Sequence, residues 1–198
     1  LEALVPQIRR TAELVAEIGL DRVGPSDTTW DPEKLRWMSQ QHIARMELDE
    51  LVEAVRPFVD RDRFPLDERG LRLAVEALRS RLTAFGEIPG HLEAYAYPPE
   101  STLEAARSEL RDDPDGARVV AAVAGALGAL PEWEVEGVDA AVRDAGQEIG
   151  ARGKHLFHPV RKALTGRTSG PDLARIVTAL GRGEVLQRLE RVEAEGQV

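Results

Sequence analysis

Apolar residues recur every three or four positions along almost the whole chain, and this period limits the fold more than any other feature. Three series show it: Leu71, Val75, Leu78 and Leu82; Val119, Val123, Leu127 and Leu130; and Leu48, Leu51, Val52, Val55 and Phe58. Such spacing places apolar side chains on one face of an α-helix, which must then pack against a core. Alternating β-branched segments bounded by turn residues, which predict strands, do not occur in the sequence. The sequence therefore predicts an all-α fold.

Turn motifs and prolines divide the predicted helices. Asp31 is expected to cap a helix that begins at Pro32, because a carboxylate accepts hydrogen bonds from the free N–H groups of the first turn. Residues 95–99, Tyr-Ala-Tyr-Pro-Pro, form the strongest linker candidate, since consecutive prolines force an extended backbone. Further breaks are predicted at residues 63–65, 150–153 and 168–171. Pro171 is expected near the first turn of the helix that follows the last of these breaks.

Composition excludes several classes of protein. The chain has 198 residues and no cysteine, which excludes a disulfide framework and cysteine-ligated zinc. No apolar segment approaches the roughly 20 residues that span a bilayer. We therefore expect a soluble, cytoplasmic protein that does not contact a membrane.

One basic segment stands out in an acidic chain. Residues 152–191 contain nine Arg and Lys against three Asp and Glu, whereas the whole chain has a formal net charge of −9. A local basic segment on an acidic protein is typical of a contact with a polyanion. A helical hairpin with solvated arginines explains the same pattern, so charge alone leaves both interpretations open.

Three sequence strings add information that periodicity does not contain. They are DPEKLRWMSQQHI at residues 31–43, LRSRLTAFGEIP at 78–89 and HPVRKALTGRTSGPDLARIVTALG at 158–181. In this order and spacing they resemble the C-terminal half of bacterial glutamyl-tRNA synthetases, and the resemblance runs from about Glu13 to about Val192. It implies a stem-contact-like segment at 1–45, followed by two small helical subdomains of the anticodon-binding cage type at 46–97 and 98–198.

The two ATP motifs of that family are missing from the sequence. Neither a HIGH-type nor a KMSKS-type string occurs, and residues 42–45, His-Ile-Ala-Arg, lack the glycine that lets the backbone approach ATP. The resemblance thus implies that this chain does not aminoacylate by itself and holds no cofactor. ATP and magnesium would bind the catalytic half, which is an expected partner in the intact protein, together with tRNA for glutamate.

The resemblance also implies a set of anticodon-binding residues. Arg81 falls where some bacterial members have an arginine that recognises the third anticodon base, and Arg161 aligns with the contact to the first two bases. Gly170, Pro171 and Leu173 align with the loop and helix start that pack against those bases. A guanidinium suits this task because it offers several fixed donors to the edge of an unstacked base. At position 170 the family usually has threonine, so a hydroxyl contact is absent here.

Three flanking cations are expected to contact phosphates: Lys154, Lys162 and Arg167. They would neutralise charge without recognising sequence, and solvated helix ends are the alternative interpretation. Arg81 likewise has a structural alternative, as a surface arginine paired with Glu76 or Glu87.

Two further groups of residues have simpler interpretations. His155 and His158 are three residues apart, but no further ligand has suitable spacing, so we expect no metal. Trp30, Trp37 and Trp133 are predicted to anchor the core.

Two functions from different classes fit these observations. The first is a tRNA-binding, anticodon-recognition region of a glutamate–tRNA ligase that lacks its catalytic half. The second is a stand-alone helical protein-interaction module derived from that region.

Overall fold

The computed structural model describes residues 31–193, and the regular structure in this range is helical. The α-helices are α1 (Pro32–Arg45), α2 (Leu48–Val55), α3 (Glu68–Leu78), α4 (Ile88–Tyr95), α5 (Glu100–Arg111), α6 (Pro114–Gly128), α7 (Val135–Glu148), α8 (Lys154–Thr165), α9 (Leu173–Leu180) and α10 (Arg182–Glu193). Short 3₁₀ turns occur at Arg56–Phe58, Arg79–Arg81 and Phe85–Glu87. The all-α prediction is confirmed, and no helix within this range is both long and apolar enough to cross a bilayer.

Side-chain caps set two of the predicted helix starts. The N–H of Glu33 donates to Asp31 Oδ1 at 3.0 Å, which confirms the expected cap of α1. At α9 the cap is Asp172, whose Oδ1 accepts from the N–H of Arg175 at 2.8 Å. Pro171 therefore lies just before the cap and close to the first turn, as predicted. A carboxylate satisfies the free N–H groups of a first turn, a task for which proline has no group.

The first core lies where α3 packs against α2 and α9. Leu71, Val75 and Leu78 are buried along one face of α3, and Leu82 is buried beyond the end of that helix. Each such side chain stabilises the fold by roughly 1.5 to 3 kcal/mol. Phe58, predicted on the buried face of α2, is 47% exposed. It follows the end of α2 in a 3₁₀ turn, where the helical period no longer applies.

The second set of contacts joins α6 to α7, α8 and α10, and α5 to α8. Val119, Val123 and Leu127 of α6 are buried there, as their spacing predicted. From Lys34 on, the described chain forms one compact unit, in which α9 packs on α3 across the predicted boundary between residues 97 and 98. The boundaries of the two subdomains stay a prediction.

The three tryptophans differ in their surroundings. Trp133 is partly buried and packs against the core, as expected. Trp37 is 59% exposed beside the exposed Leu35 and Met38, so its predicted role as a core anchor is wrong. The helical period of α1 shows which residues share a face, but not whether another element covers that face. Trp30 lies outside the described residues.

Candidate functional site

Residues from three distant parts of the sequence meet around the ring of Tyr95, at the end of α4. Arg81 places its Cζ atom 5.0 Å from the ring centroid, and Arg81 Nη1 donates to Tyr95 Oη at 3.4 Å. The Cζ atom of Arg167 lies 5.6 Å from the same centroid. Gly170 packs on the ring edge, since a Cβ atom at 170 would lie 3.3 Å from Tyr95 Cδ1 and 3.0 Å from Arg161 Nη1. We call Tyr95, Arg81, Arg161, Arg167 and Gly170 the Tyr95 cluster.

The loop after α8 carries two members of this cluster, and a glycine begins it. Gly166 has a φ of 70°, the left-handed conformation that ends many helices and favours glycine. A Cβ atom there would lie 2.5 Å from Thr102 Cγ2, so space as well as conformation requires glycine. Arg167 Nε then donates to the carbonyl of Ala94 at 3.1 Å, which fixes the loop against the last turn of α4.

Arg161 is a partly buried guanidinium without a protein partner. Within residues 31–193 it makes neither an ion pair nor a hydrogen bond. Desolvation on burial lowers the pKa of Arg161, and the charge of Arg81 lowers it further, whereas Asp172 opposes both. Asp172 itself accepts a hydrogen bond from the N–H of Arg175. A desolvated charge without a partner costs free energy, which a ligand with acceptor atoms would offset.

Arg81 does not pair with either acid that its structural alternative named. Glu76 instead accepts from Arg175 at 3.2 Å. Glu87 accepts from the N–H of Thr83 at 2.8 Å and from the threonine hydroxyl at the same distance. The guanidinium of Arg81 therefore faces Tyr95 rather than a carboxylate.

Arg79, two residues before Arg81, has a structural role. Its Nη2 donates to the carbonyls of Ala44 at 2.7 Å and Met46 at 2.6 Å. These carbonyls lie at the end of α1 and just beyond it, where the helix leaves backbone acceptors unsatisfied. The neighbouring arginines are thus distinct: Arg79 joins α1 to the α3 turn, and Arg81 joins the Tyr95 cluster.

Pro171 and Leu173 lie next to the cluster but have little free surface. Leu173 is 6% exposed and Pro171 is also buried. Gly170 is the partly exposed member of this segment. Base contacts by Pro171 and Leu173 stay a prediction. The two residues are packed within the fold, and this packing positions the loop that carries Gly170.

The three predicted phosphate contacts differ in their surroundings. Arg167 belongs to the Tyr95 cluster, while Lys154 is exposed at the start of α8. Lys162 forms an ion pair with Glu109 of α5, so a phosphate would compete with that carboxylate.

Other cations of the basic segment are also paired within the fold. Arg175 pairs with Glu76, Arg188 with Glu184 and Arg191 with Glu100. The charge count of the sequence therefore overstates the positive charge that this segment offers to a ligand. Within the described range 31–193, the cations of the Tyr95 cluster that form no ion pair are Arg81, Arg161 and Arg167.

His155 and His158 are exposed on α8 and line a groove of about 550 Å³ with Asp113 and Asp115. Among residues 31–193, no group of three or more His, Asp and Glu side chains is arranged to hold a metal ion.

Comparison with known proteins identifies the family. The model of the anticodon binding domain family matches residues 50–193, which include every member of the Tyr95 cluster. The chain belongs to this family.

The chain is similar to longer curated proteins that are glutamate–tRNA ligases. The chain is 36% identical over 200 residues to the glutamate–tRNA ligase of Desulforudis audaxviator, with 92% of the chain and 38% of that protein covered. It is 34% identical over 197 residues to that of a Roseiflexus species, with 95% of the chain and 38% of that protein covered. The chain thus spans less than half the length of the curated relatives it matches.

A solved structure shares the fold of this anticodon-binding domain. It is a glutamate tRNA ligase from Elizabethkingia meningosepticum, with a TM-score of 0.75 and 19% sequence identity. The match covers 89% of the chain and 35% of that structure's chain. At this identity the likeness supports the fold alone.

Two aromatic residues of this anticodon-binding domain were missed by the sequence analysis. Tyr95 was assigned to the linker, and His91 was assigned no role. They lie four residues apart on one face of α4, with ring centroids 6.3 Å apart and planes at 9°. Both line a groove of about 510 Å³ together with Arg167. Their spacing of four residues places them on one helix face, but it does not indicate a functional role for either residue.

The stability of the domain should fall as His91 becomes protonated. Burial and the charge of Arg81 lower the pKa of His91 below 6.5, although Glu87 and the backbone carbonyl of Arg81 oppose this shift. Below pH 6.5 the unfolded chain therefore binds more protons than the folded chain, and acidification favours unfolding. Urea unfolding between pH 7.5 and 5 should show this loss, and His91→Gln should reduce it. His158→Gln, at an exposed position, is the control and should retain it.

Proposed function

We propose that the Tyr95 cluster recognises the anticodon of tRNA for glutamate, as the tRNA-binding region of a glutamate–tRNA ligase. The observation that carries this proposal is Arg161, partly buried without a partner, beside Arg81 and Gly170. The family match and the similarity to glutamate–tRNA ligases support the choice of ligand.

The chemistry of the cluster suits unstacked bases. Arg161 and Arg81 each offer several N–H donors in a fixed plane, and base edges in a loop present carbonyl and ring-nitrogen acceptors. The two side chains come from different elements, α8 and the turn after α3, so they can contact different bases. Gly170 lacks a side chain, which lets Arg161 and the ring of Tyr95 approach its backbone closely.

Cations around the cluster would bind the phosphate backbone of the anticodon loop of the tRNA. Arg167 is exposed beside Tyr95, and Lys154 is exposed farther along α8. Because the whole chain has a formal net charge of −9, its acidic surface repels RNA, so we expect modest affinity with a steep dependence on salt.

The catalytic half of such a ligase would supply the remaining chemistry. It would bind ATP and magnesium and act in the cytoplasm, whereas this chain would hold the anticodon. Leu35, Trp37 and Met38 expose apolar surface at different positions around α1, which suits contact with another protein surface, such as that half.

A binding comparison tests the proposed function. A transcript of tRNA for glutamate and the same transcript with a changed anticodon are titrated with the chain, by fluorescence anisotropy over a salt series. We expect tighter binding to the unchanged transcript and weaker binding of both as salt rises. Equal, weak binding of the two transcripts would contradict anticodon recognition.

The protein-interaction function is the second candidate, and the same apolar surface of α1 favours it. Under that hypothesis the chain captures a protein partner at high salt and does not bind tRNA. Trp37→Ser should then abolish capture, while a chain that recognises tRNA through the Tyr95 cluster should keep its anticodon preference after this substitution.

A further inference from the structure

Tyr95 contacts more of the cluster than any predicted binding residue does. Its ring lies under the guanidinium of Arg81, beside that of Arg167, and against Gly170. Cation–π contacts of this kind hold a flexible side chain above a ring. Because its face carries arginines, Tyr95 is suited to orient other groups rather than to contact a base itself.

The orientation of the ring is itself supported. His91, one turn earlier on α4, lies parallel to it, with the two ring centroids 6.3 Å apart. The hydroxyl of Tyr95 accepts from Arg81 Nη1 at 3.4 Å. The guanidinium of Arg81 is thus held by a ring that is itself stacked on its neighbour in α4.

Gly170 transmits the position of the ring to Arg161. A Cβ atom at 170 would lie within 3.3 Å of the ring and 3.0 Å of Arg161 Nη1, so ring, backbone and guanidinium are in close contact. The guanidinium of Arg161 makes no hydrogen bond within the described residues, so its packing against Gly170 is a contact that limits its position.

We propose that Tyr95 is a positioning residue for anticodon recognition: it sets the relative positions of the Arg81 and Arg161 guanidinium groups, with Gly170 as the contact between ring and Arg161. This inference rests on the proposed function. It adds a specificity-determining residue that itself makes no base contact.

The first test substitutes the ring. Tyr95→Leu should lower the affinity for the unchanged transcript roughly tenfold and reduce the preference over the changed anticodon. Tyr95→Phe keeps the ring and should retain most of both. Tyr97→Leu is the matched control, because Tyr97 packs on Phe64 at 5.7 Å and lies outside the cluster. It should lower stability without changing the anticodon preference, and unchanged preference in Tyr95→Leu would overturn the proposal.

A second measurement needs no RNA, so its outcome is separate from that of the proposed function. The Nε–H signals of Arg81 and Arg161 in a ¹H–¹⁵N spectrum should shift in Tyr95→Leu, and their relaxation should indicate more mobile side chains. Neither change should occur in Tyr97→Leu. Unchanged signals would overturn the positioning role, whether or not the chain binds tRNA.

A substitution of Gly170 tests the contact to Arg161. In Gly170→Ala the added methyl group should displace the flexible end of Arg161, weakening specific binding several-fold with little change in stability. Gly125→Ala is the control, since a Cβ atom there meets nothing within 4 Å. Binding in Gly170→Ala equal to that of the control would contradict the contact.

Discussion

Replacement of Arg161 by alanine is expected to remove most of the anticodon preference and to cost on the order of 1 to 3 kcal/mol in specific binding, about five- to 150-fold in Kd. The guanidinium is partly desolvated and has no partner within the described residues, so its hydrogen-bond donors are available to a base. Stability should change little or rise slightly, because the substitution removes an uncompensated charge near Arg81. Titration of both transcripts with the variant, and urea unfolding, measure the two effects.

Arg152→Ala is the matched control for this prediction. It removes the same charge from the same basic segment, but Arg152 is exposed and lies outside the Tyr95 cluster. We expect a small, non-selective loss of affinity for both transcripts, as for a cation that acts only on phosphates. If Arg152→Ala and Arg161→Ala weaken the two transcripts equally, Arg161 acts through charge alone and does not contact a base.

Apolar periodicity predicted the buried residues correctly wherever the helix is regular and another element packs on its apolar face. Leu71, Val75 and Leu78 are buried because α3 is regular over that length and packs against α2 and α9. Phe58 and Trp37 show two limits of predicting burial from apolar spacing. At Phe58 the helix has ended, and at Trp37 the apolar face of α1 is exposed. Neither the end of a helix nor the cover of a face follows from spacing alone.

The site required two kinds of information. The resemblance indicated Arg81, Arg161 and Gly170, and the structure brings them together around one ring. Tyr95 itself could not be inferred, because its role depends on contacts with residues 14 and 72 positions away, at Arg81 and Arg167.

The net charge of the basic segment says little about which of its cations can bind a ligand. Ion pairs such as those of Lys162 and Arg175 form between helices, and a net charge per segment does not include them. Arg161 was indicated by the resemblance, but its lack of a partner became visible only in the fold. That lack of a partner distinguishes a binding arginine from a structural one.

The buried Arg188 is expected to contribute more to stability than any other arginine of the basic segment. It is 4% exposed, and its Nη1 donates to the carbonyls of Ala96 and Leu164 at 2.7 Å each. These bonds join α10 to the residue after Tyr95 and to the end of α8, three residues after Arg161. Arg188→Met keeps much of the side-chain volume but leaves both carbonyls without a donor, so the free energy of unfolding should fall by about 3 kcal/mol.

Arg191→Met, one turn later on α10, provides the comparison. Its side chain is 47% exposed and pairs with Glu100 at 3.3 Å, so the loss should stay within about 0.5 kcal/mol. Urea unfolding followed by circular dichroism measures both values. Equal stability of the two variants would show that the buried bonds of Arg188 contribute no more than an exposed ion pair.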